Sequence, residues 1–282
     1  MDEGPSSVPE GDTIYRAAAT LHRALAGRSV VRFESVFPAL RRVHDDHPLT
    51  AMTIERIESV GKHVLMHFSG GLVLRTHMRM HGSWHIYRTG ERWHRSARDM
   101  RVLVATSEFE AVGFNIPVAE FIAERELPKH PVLSKLGPDA LDARFDRDEA
   151  IRRLRAQPSL PIGEALLDQR LMAGIGNVYK SEVLFACGIS PFVPVSDLDD
   201  RQLESLVETA RKLLLANVGA SGAGMTTHIG YRRTTGRDDP NERLWVYGRA
   251  RLPCRRCGSA IDVRKHGTDA RLTYWCPVCQ RS

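Results

Sequence analysis

The spacing of apolar residues changes character along the chain. Near the start, Ile14, Ala17, Ala18, Leu21 and Leu25 fall three to four apart, the period of one buried helix face. Asp12 or Thr13 is placed to cap that helix, and Gly27 to end it. From Val30 to about Ile122, short apolar or alternating runs take over: residues 30–33, 52–57, 64–68, 72–76, 84–87, 102–105 and 109–114. Turn residues such as Ser69-Gly70-Gly71 and Arg88-Thr89-Gly90 separate them, which predicts a β-sandwich or barrel with a helix at its start. Residues 126–160 carry Pro128, Pro131, Gly137-Pro138 and Pro158 and read as a boundary, interrupted by a short helix over 146–156. A longer helix is predicted over 198–216, with Leu203, Leu206, Val207, Ala210, Leu213 and Leu214 on one face. Residues 217–243 are rich in Gly, Thr, Arg and Asp and poor in apolar residues, which predicts a mobile loop of the functional kind.

The stretch 165–188, ALLDQRLMAGIGNVYKSEVLFACG, lies between these helices. Helix formers Ala165, Leu166 and Leu167 lead into a turn at Asp168-Gln169, then Gly174-Ile175-Gly176-Asn177, then a second amphipathic run with Val178, Val183, Leu184 and Phe185. Two glycines before a helix let the backbone bend tightly and approach a partner closely. Asn177 is expected at the N-cap, beside unpaired N–H groups and the positive end of the helix dipole. Two readings are open here: a helix hairpin with a glycine turn, and an anion site built from backbone.

Charge moves the balance toward the anion. The chain has 282 residues, net charge +6 and a sequence pI of about 9.2, so an acidic partner is plausible. At this length two domains are comfortable, and 42% hydrophobic with 26% charged residues is a globular composition. No run approaches the roughly 20 apolar residues of a membrane span. The acidic, polar start MDEGPSSVPEGD is unlike a secretory signal, and the cysteine usage points to a reducing cytoplasm. Histidines 77, 81 and 85 are spaced by four, but on a strand-turn-strand segment they would not share a face, so no metal is expected there.

The five cysteines fall as Cys254-x2-Cys257, Cys276-x2-Cys279 and a lone Cys187, read as a small core residue. Each pair is a knuckle able to place two thiolates on one tetrahedral ion, and the eighteen residues between them suit a β-hairpin. One structural Zn2+ is expected, with no position open for catalysis, folding a module too poor in core to fold alone. Arg249, Arg251, Arg255, Arg256, Arg264, Lys265 and Arg271 decorate it, with Tyr274 and Trp275 before the second knuckle, as nucleic-acid binding requires.

Three separated motifs together resemble the bacterial formamidopyrimidine-DNA glycosylase and endonuclease VIII family of base-excision repair enzymes. They are Pro9-Glu10-Gly11-Asp12 opening a helix, the helix–two-turn–helix stretch LLDQRLMAGIGNVYKSE, and VYGRARLPCRRCG with RLTYWCPVCQ at the end. The resemblance spans nearly the whole chain. It implies an α+β protein: a catalytic β-sandwich over 9–125, a hinge, helix–two-turn–helix domain and lesion loop over 126–245, and a zinc finger over 246–282. It implies duplex DNA carrying oxidised bases or abasic sites as partner, acted on by a monomer in the bacterial cytoplasm, at the nucleoid.

By the same resemblance Pro9 is the nucleophile, its secondary amine attacking C1′ to give an iminium, and Glu10 is the general acid/base. Lys62 matches a strand-turn lysine that contacts phosphate beside the lesion. Asn177 and Arg271 match the pair that grips the phosphates flanking a flipped nucleotide. Arg79, Met80 and His81 fall where the family places its void-filling wedge. Residues 110–116, EAVGFNI, lack the arginine that the formamidopyrimidine branch presents from a later hairpin, so the wedge looks like that of endonuclease VIII, and oxidised pyrimidines are the expected lesions. A formamidopyrimidine or 8-oxoguanine type of glycosylase is the alternative branch, with the loop 217–243 reading purines.

One departure bears on activity. Pro9 is preceded by eight residues, and an amide-bound proline has no free amine. A GUG codon is read as valine inside a gene and as methionine at its start, and methionine removal would then leave Pro9 terminal. Residues 1–8 are accordingly expected to be a non-native extension. The competitor from another class is a damaged-DNA-binding protein that kept the clamp and lost the nucleophile; a general zinc-ribbon interaction module explains only residues 250–282.

Overall fold

Alternation at period two builds the first half of the protein. The computed structural model describes residues 8–219, 232–237 and 239–281. Within it the chain divides into two units, one holding residues 8–135 and the other residues 136–219 with 232–281 as described. In the first, α1 (Gly11–Leu25) precedes β1 (Arg32–Ser35), α2 (Pro38–Asp46), β2 (Ile54–Val60), β3 (His63–Phe68) and β4 (Leu72–His77). Then come β5 (Ser83–Arg88), β6 (Met100–Ala105), β7 (Phe109–Phe114) and β8 (Val118–Ala123). They form two four-stranded antiparallel sheets, ordered β1-β6-β7-β5 and β2-β3-β4-β8. One core joins them to α1: Ile14, Leu21 and Leu25 from the helix, Ile57, Val64 and Met66 from one sheet, Trp84, Val102 and Val104 from the other.

The strands bury one face in that core, and β3 shows what happens on the other. Val64, Met66 and Phe68 point inward, so His63, Leu65 and His67 lie on the outer face, yet all six are buried. His67 is covered by a carboxylate on each ring nitrogen, Glu58 at 2.9 Å and Glu124 at 3.2 Å, with Arg56 2.7 Å from Glu124. Helix α2 was not expected from the pattern, because only Leu40 of its nine residues is buried; Pro38 in its first turn was the available signal. The first strand also starts later than expected, since Val30 and Val31 bond to Met52 and Ala105 as connections rather than as ladder.

The second unit is helical: α3 (Arg147–Arg155), α4 (Ile162–Ala165), α5 (Asn177–Cys187) and α6 (Asp200–Val218), followed by the hairpin β9 (Asp262–His266) and β10 (Arg271–Trp275). Asp146 caps α3 by accepting the Glu149 N–H, and Asp199 with Gln202 forms a reciprocal capping box on α6. These local signals lie close to the expected helix ends. Tyr179, Val183 and Leu184 of α5 pack with Leu203, Leu206, Val207 and Leu214 of α6. Among the described residues, no helix is long and apolar enough to cross a membrane.

Candidate functional site

The residues expected at a site fall into two groups, one in each unit. In the first unit, Pro9 is half-buried and Glu10 is 1% exposed, directly before α1. Glu10, not Asp12 or Thr13, takes the N-cap position, with extended backbone and no capping bond from its side chain. Asp12 is instead fully buried and pairs with Arg16 one turn on, at 3.4 Å. Two carboxylates are tolerable there because the helix N-terminus presents partial positive charge, and Arg16 adds a full one.

Lys62 sits in the tight turn joining β2 to β3, after Gly61 at φ 58°. His63, which follows it, lies opposite His77, the last residue of β4, with ring centroids 4.6 Å apart. The candidate wedge 79–81 follows one residue later, so Lys62 and the wedge stand at the same end of one strand pair. Arg79 adopts φ 49° and its N–H donates to His77 Nδ1 at 3.0 Å, while Gly82 N–H closes the turn onto Met78 O at 2.9 Å. A Cβ at Gly82 would meet Met78 O at 2.6 Å, which is why glycine ends the wedge. All three candidate wedge side chains are exposed, Met80 among them at 41%. His81 is exposed in the turn, whereas His85 is buried, bonded to Ser83 at 2.9 Å and set edge-on to Phe114. The four-spaced histidines do not converge, and among the described residues only the four cysteines group as a metal site.

The histidine pair carries a pH prediction. Burial, then Arg75, pushes His63 down to about 2; burial, then Lys62, pushes His77 down to about 4. Both stay neutral where the unfolded chain's histidines protonate, so the unfolded state binds more protons and stability falls as pH drops below about 6.5. The loss continues toward pH 4 and beyond. Urea unfolding between pH 7 and 4.5 is expected to show this slope, shallower in His63→Leu; equal slopes would show that His63 is not its source.

In the second unit, Gln169 organises the approach to α5: its amide donates to Leu167 O and Ile175 O and accepts the Gly174 N–H at 3.0 Å. Gly174 has φ 100°, open to glycine alone at little cost. Gly176, not Asn177, is the N-cap; Asn177 is the first helical residue. Its Nδ2 donates to Leu272 O on β10 at 2.8 Å, and its Oδ1 accepts from Lys180 Nζ at 2.7 Å. The helix start and β10, whose first residue is Arg271, are thereby joined. Arg271 itself is exposed, 3.9 Å from Asp269.

Amphipathic spacing would place Lys180, Ser181 and Glu182 toward solvent, yet none is more than 1% exposed. Glu182 accepts from the backbone N–H groups of Trp245, Val246 and Tyr247 at 2.7–2.8 Å and from the Thr234 hydroxyl. Burial raises its pKa, and these donors oppose the rise. It holds the chain as it enters the terminal module. Part of the expected loop is fixed here too, through Thr234 and through Asn217, which accepts the Arg233 N–H at 2.8 Å. The remainder of that loop, 220–231 and residue 238, lies outside the described residues.

The sulfurs of Cys254, Cys257, Cys276 and Cys279 all lie within 4.8 Å of one another. Cys254 and Cys279 are 3.9 Å apart, Cys257 and Cys276 3.5 Å. Four thiolates at about 2.3 Å from one zinc stand about 3.8 Å apart, so the cluster suits a tetrahedral ion. Burial and the neighbouring thiols push Cys279 up to about 12, and so close a group ionises together only around a cation. The arginines nearby are not all free for an outside partner. Arg249 donates to Trp245 O and Pro253 O, Arg255 to Leu244 O, Arg256 lies over Phe185 at 4.5 Å, and Arg264 over Phe192 at 3.4 Å. Four of the seven expected basic residues thus make contacts within this unit, and of these Arg256 reaches a helix.

Comparison with known proteins agrees with this arrangement. Residues 8–115 match the formamidopyrimidine-DNA glycosylase N-terminal domain and residues 136–228 the formamidopyrimidine-DNA glycosylase H2TH domain. A protein of Streptomyces coelicolor named probable endonuclease 8 2 is 41% identical over 276 residues, 97% of this chain and 94% of its own. Endonuclease 8 2 of Mycobacterium tuberculosis is 38% identical over 97% of this chain and 100% of its own. The DNA-(apurinic or apyrimidinic site) lyase Nei2 of Mycolicibacterium smegmatis is 37% identical over 97% and 99%. In fold, the chain is similar to Lactococcus lactis Fpg crystallised with abasic-site DNA, at TM-score 0.81 and 23% identity over 97% of this chain and 100% of that one. The chain therefore belongs to the formamidopyrimidine-DNA glycosylase and endonuclease VIII family, on its endonuclease VIII side.

Proposed function

We propose that this chain removes oxidised bases, pyrimidines favoured, from duplex DNA and cleaves the resulting abasic site by β,δ-elimination through a proline iminium. The observation that carries this reading is Pro9 beside the buried Glu10 at the head of α1, in a domain whose family match begins at residue 8. The free Pro9 amine attacks C1′ as the base leaves with a proton supplied by Glu10. The iminium then acts as electron sink: loss of the C2′ proton expels the 3′ phosphate, a second elimination expels the 5′ phosphate, and water releases the sugar. Lys62 holds phosphate beside the lesion, residues 79–81 fill the gap left by the flipped nucleotide, and Asn177 with Arg271 grips its flanking phosphates. Zn2+ on the four cysteines has no open position and serves the fold of the finger. The protein acts as a monomer on DNA in the cytoplasm.

A duplex with one oxidised pyrimidine tests the reading. Scission leaving phosphate on both ends is expected; an uncut strand, or a single elimination, overturns it. Faster cutting of an 8-oxoguanine duplex would move the chain to the other branch. A second reading, a DNA-binding protein without the reaction, is favoured by the Val8–Pro9 amide of the chain as written; the intact mass of the native protein, starting at Pro9 or not, separates the two.

Asn177→Ala and Arg271→Ala are each expected to weaken binding to a lesion duplex by about 1–3 kcal/mol, roughly 5- to 150-fold. Arg271→Ala should also reduce the slope of log affinity against log salt by roughly one unit. An unchanged slope would show that Arg271 does not reach the backbone of DNA.

A further inference from the structure

We infer that Lys180 is a positioning residue: a buried ammonium that sets the Asn177 amide and the Arg271 hairpin as one phosphate-gripping unit. The inference rests on the role proposed above for Asn177. Lys180 is 1% exposed, on the second turn's edge of α5. Its Nζ donates to Asn177 Oδ1 at 2.7 Å, to Thr273 Oγ1 at 2.7 Å and to Leu272 O at 3.4 Å. All three of these acceptors are neutral oxygens.

Each contact does separate work. The bond to Asn177 Oδ1 fixes which end of the amide is oxygen, so Nδ2 must point the other way. One Nδ2 hydrogen is spent on Leu272 O at 2.8 Å, which leaves the second as the donor to a phosphate. The bond to Thr273, which is fully buried, reaches the hairpin two residues from Arg271, and the Thr273 hydroxyl turns toward Arg271 O at 3.5 Å. One cation thus orients both grips through charge-assisted bonds, the strong kind in a low-dielectric setting. Without it the Asn177 amide is held by Leu272 O alone, and the buried Thr273 hydroxyl and the Asn177 amide oxygen lose their donor.

The test is a double-mutant cycle on affinity for an abasic-site duplex, using the full chain with zinc content checked at one ion per molecule. Lys180→Met is expected to weaken binding about tenfold in the wild-type background and about threefold in Asn177→Ala, because the second change removes one of the two grips that Lys180 positions and leaves the Arg271 hairpin. The salt slope of Lys180→Met should change by less than half a unit. A tenfold loss in both backgrounds, or a slope reduced by about 0.9, overturns the inference and makes Lys180 a direct phosphate contact. Thr273→Val approaches the same ammonium from the hairpin and guards against a Lys180 variant that does not fold. It is expected to weaken binding about threefold with zinc retained, and unchanged affinity there also counts against the inference. If Asn177→Ala alone leaves affinity unchanged, the reading beneath falls; if Asn177→Ala weakens binding and Lys180→Met does not, only this inference falls.

Discussion

A chain beginning at Pro9 is expected to be trapped covalently on an abasic-site duplex by borohydride, while a chain keeping MDEGPSSV ahead of Pro9 is not trapped at all. The difference is chemical. A terminal proline offers a secondary amine whose lone pair attacks C1′, and reduction freezes the iminium. The same nitrogen in the Val8–Pro9 peptide has its lone pair delocalised into the carbonyl and cannot form one. Within the Pro9-initiated chain, Glu10→Gln should lose base excision more than abasic-site cleavage, since the carboxyl is needed most while the base departs. Glu10 is buried at a helix start, a place where its amide substitute fits without rearranging the core. Trapping by the extended chain, its eight leading residues confirmed by mass, would sink the proline mechanism and make Lys62 the first suspect.

Removal of zinc is the second large effect. The finger's own buried core comprises Val246, Cys254, Ile261 and Cys276 with Phe185 of α5, too few residues to hold a fold without the ion. Structural zinc contributes on the order of 10 kcal/mol to such modules, so its loss is expected to unfold the hairpin. Arg271 and Leu272 O go with it, and Leu272 O is what anchors Asn177. Losing both grips should weaken binding to an abasic duplex on the order of 100-fold, while helices α3 to α6, with a core of their own, keep their circular-dichroism signal. Zinc returned at neutral pH should restore binding, and less so in acid, where the thiols hold their protons. Unchanged affinity in metal-free protein would remove the finger from the DNA clamp.

Much of the architecture was legible without coordinates, for a local reason. The three-to-four spacing of Ile14 to Leu25 and of Leu203 to Leu214, and the alternation along 64–68 and 109–114, each name an element because backbone geometry alone fixes which side chains share a face. The two knuckles announced their cluster for the same reason: two residues between cysteines is a backbone constraint, and the sulfurs do meet. The expected branch followed from which residues occupy 79–81 and 110–116, and the relatives named endonuclease 8 agree with it.

What the pattern could not decide is what lies over each polar residue. Lys180 and Glu182 read as the solvent side of a helix, but the finger covers that side and turns them into a strut and a clamp. Asn177 reads as a cap, yet its side chain is drawn across to a strand ninety-five residues away. Arg249, Arg255, Arg256 and Arg264 read as a basic surface, and their partners are carbonyls and rings of the same unit. His63 and His67 occupy the face that alternation assigns to water, where neighbouring charged side chains bury them. Periodicity and spacing belong to one element at a time, so they determined most of the helices and strands of this protein and its cysteine cluster. The partners of its buried charges come from segments distant in sequence, and only tertiary packing decided those.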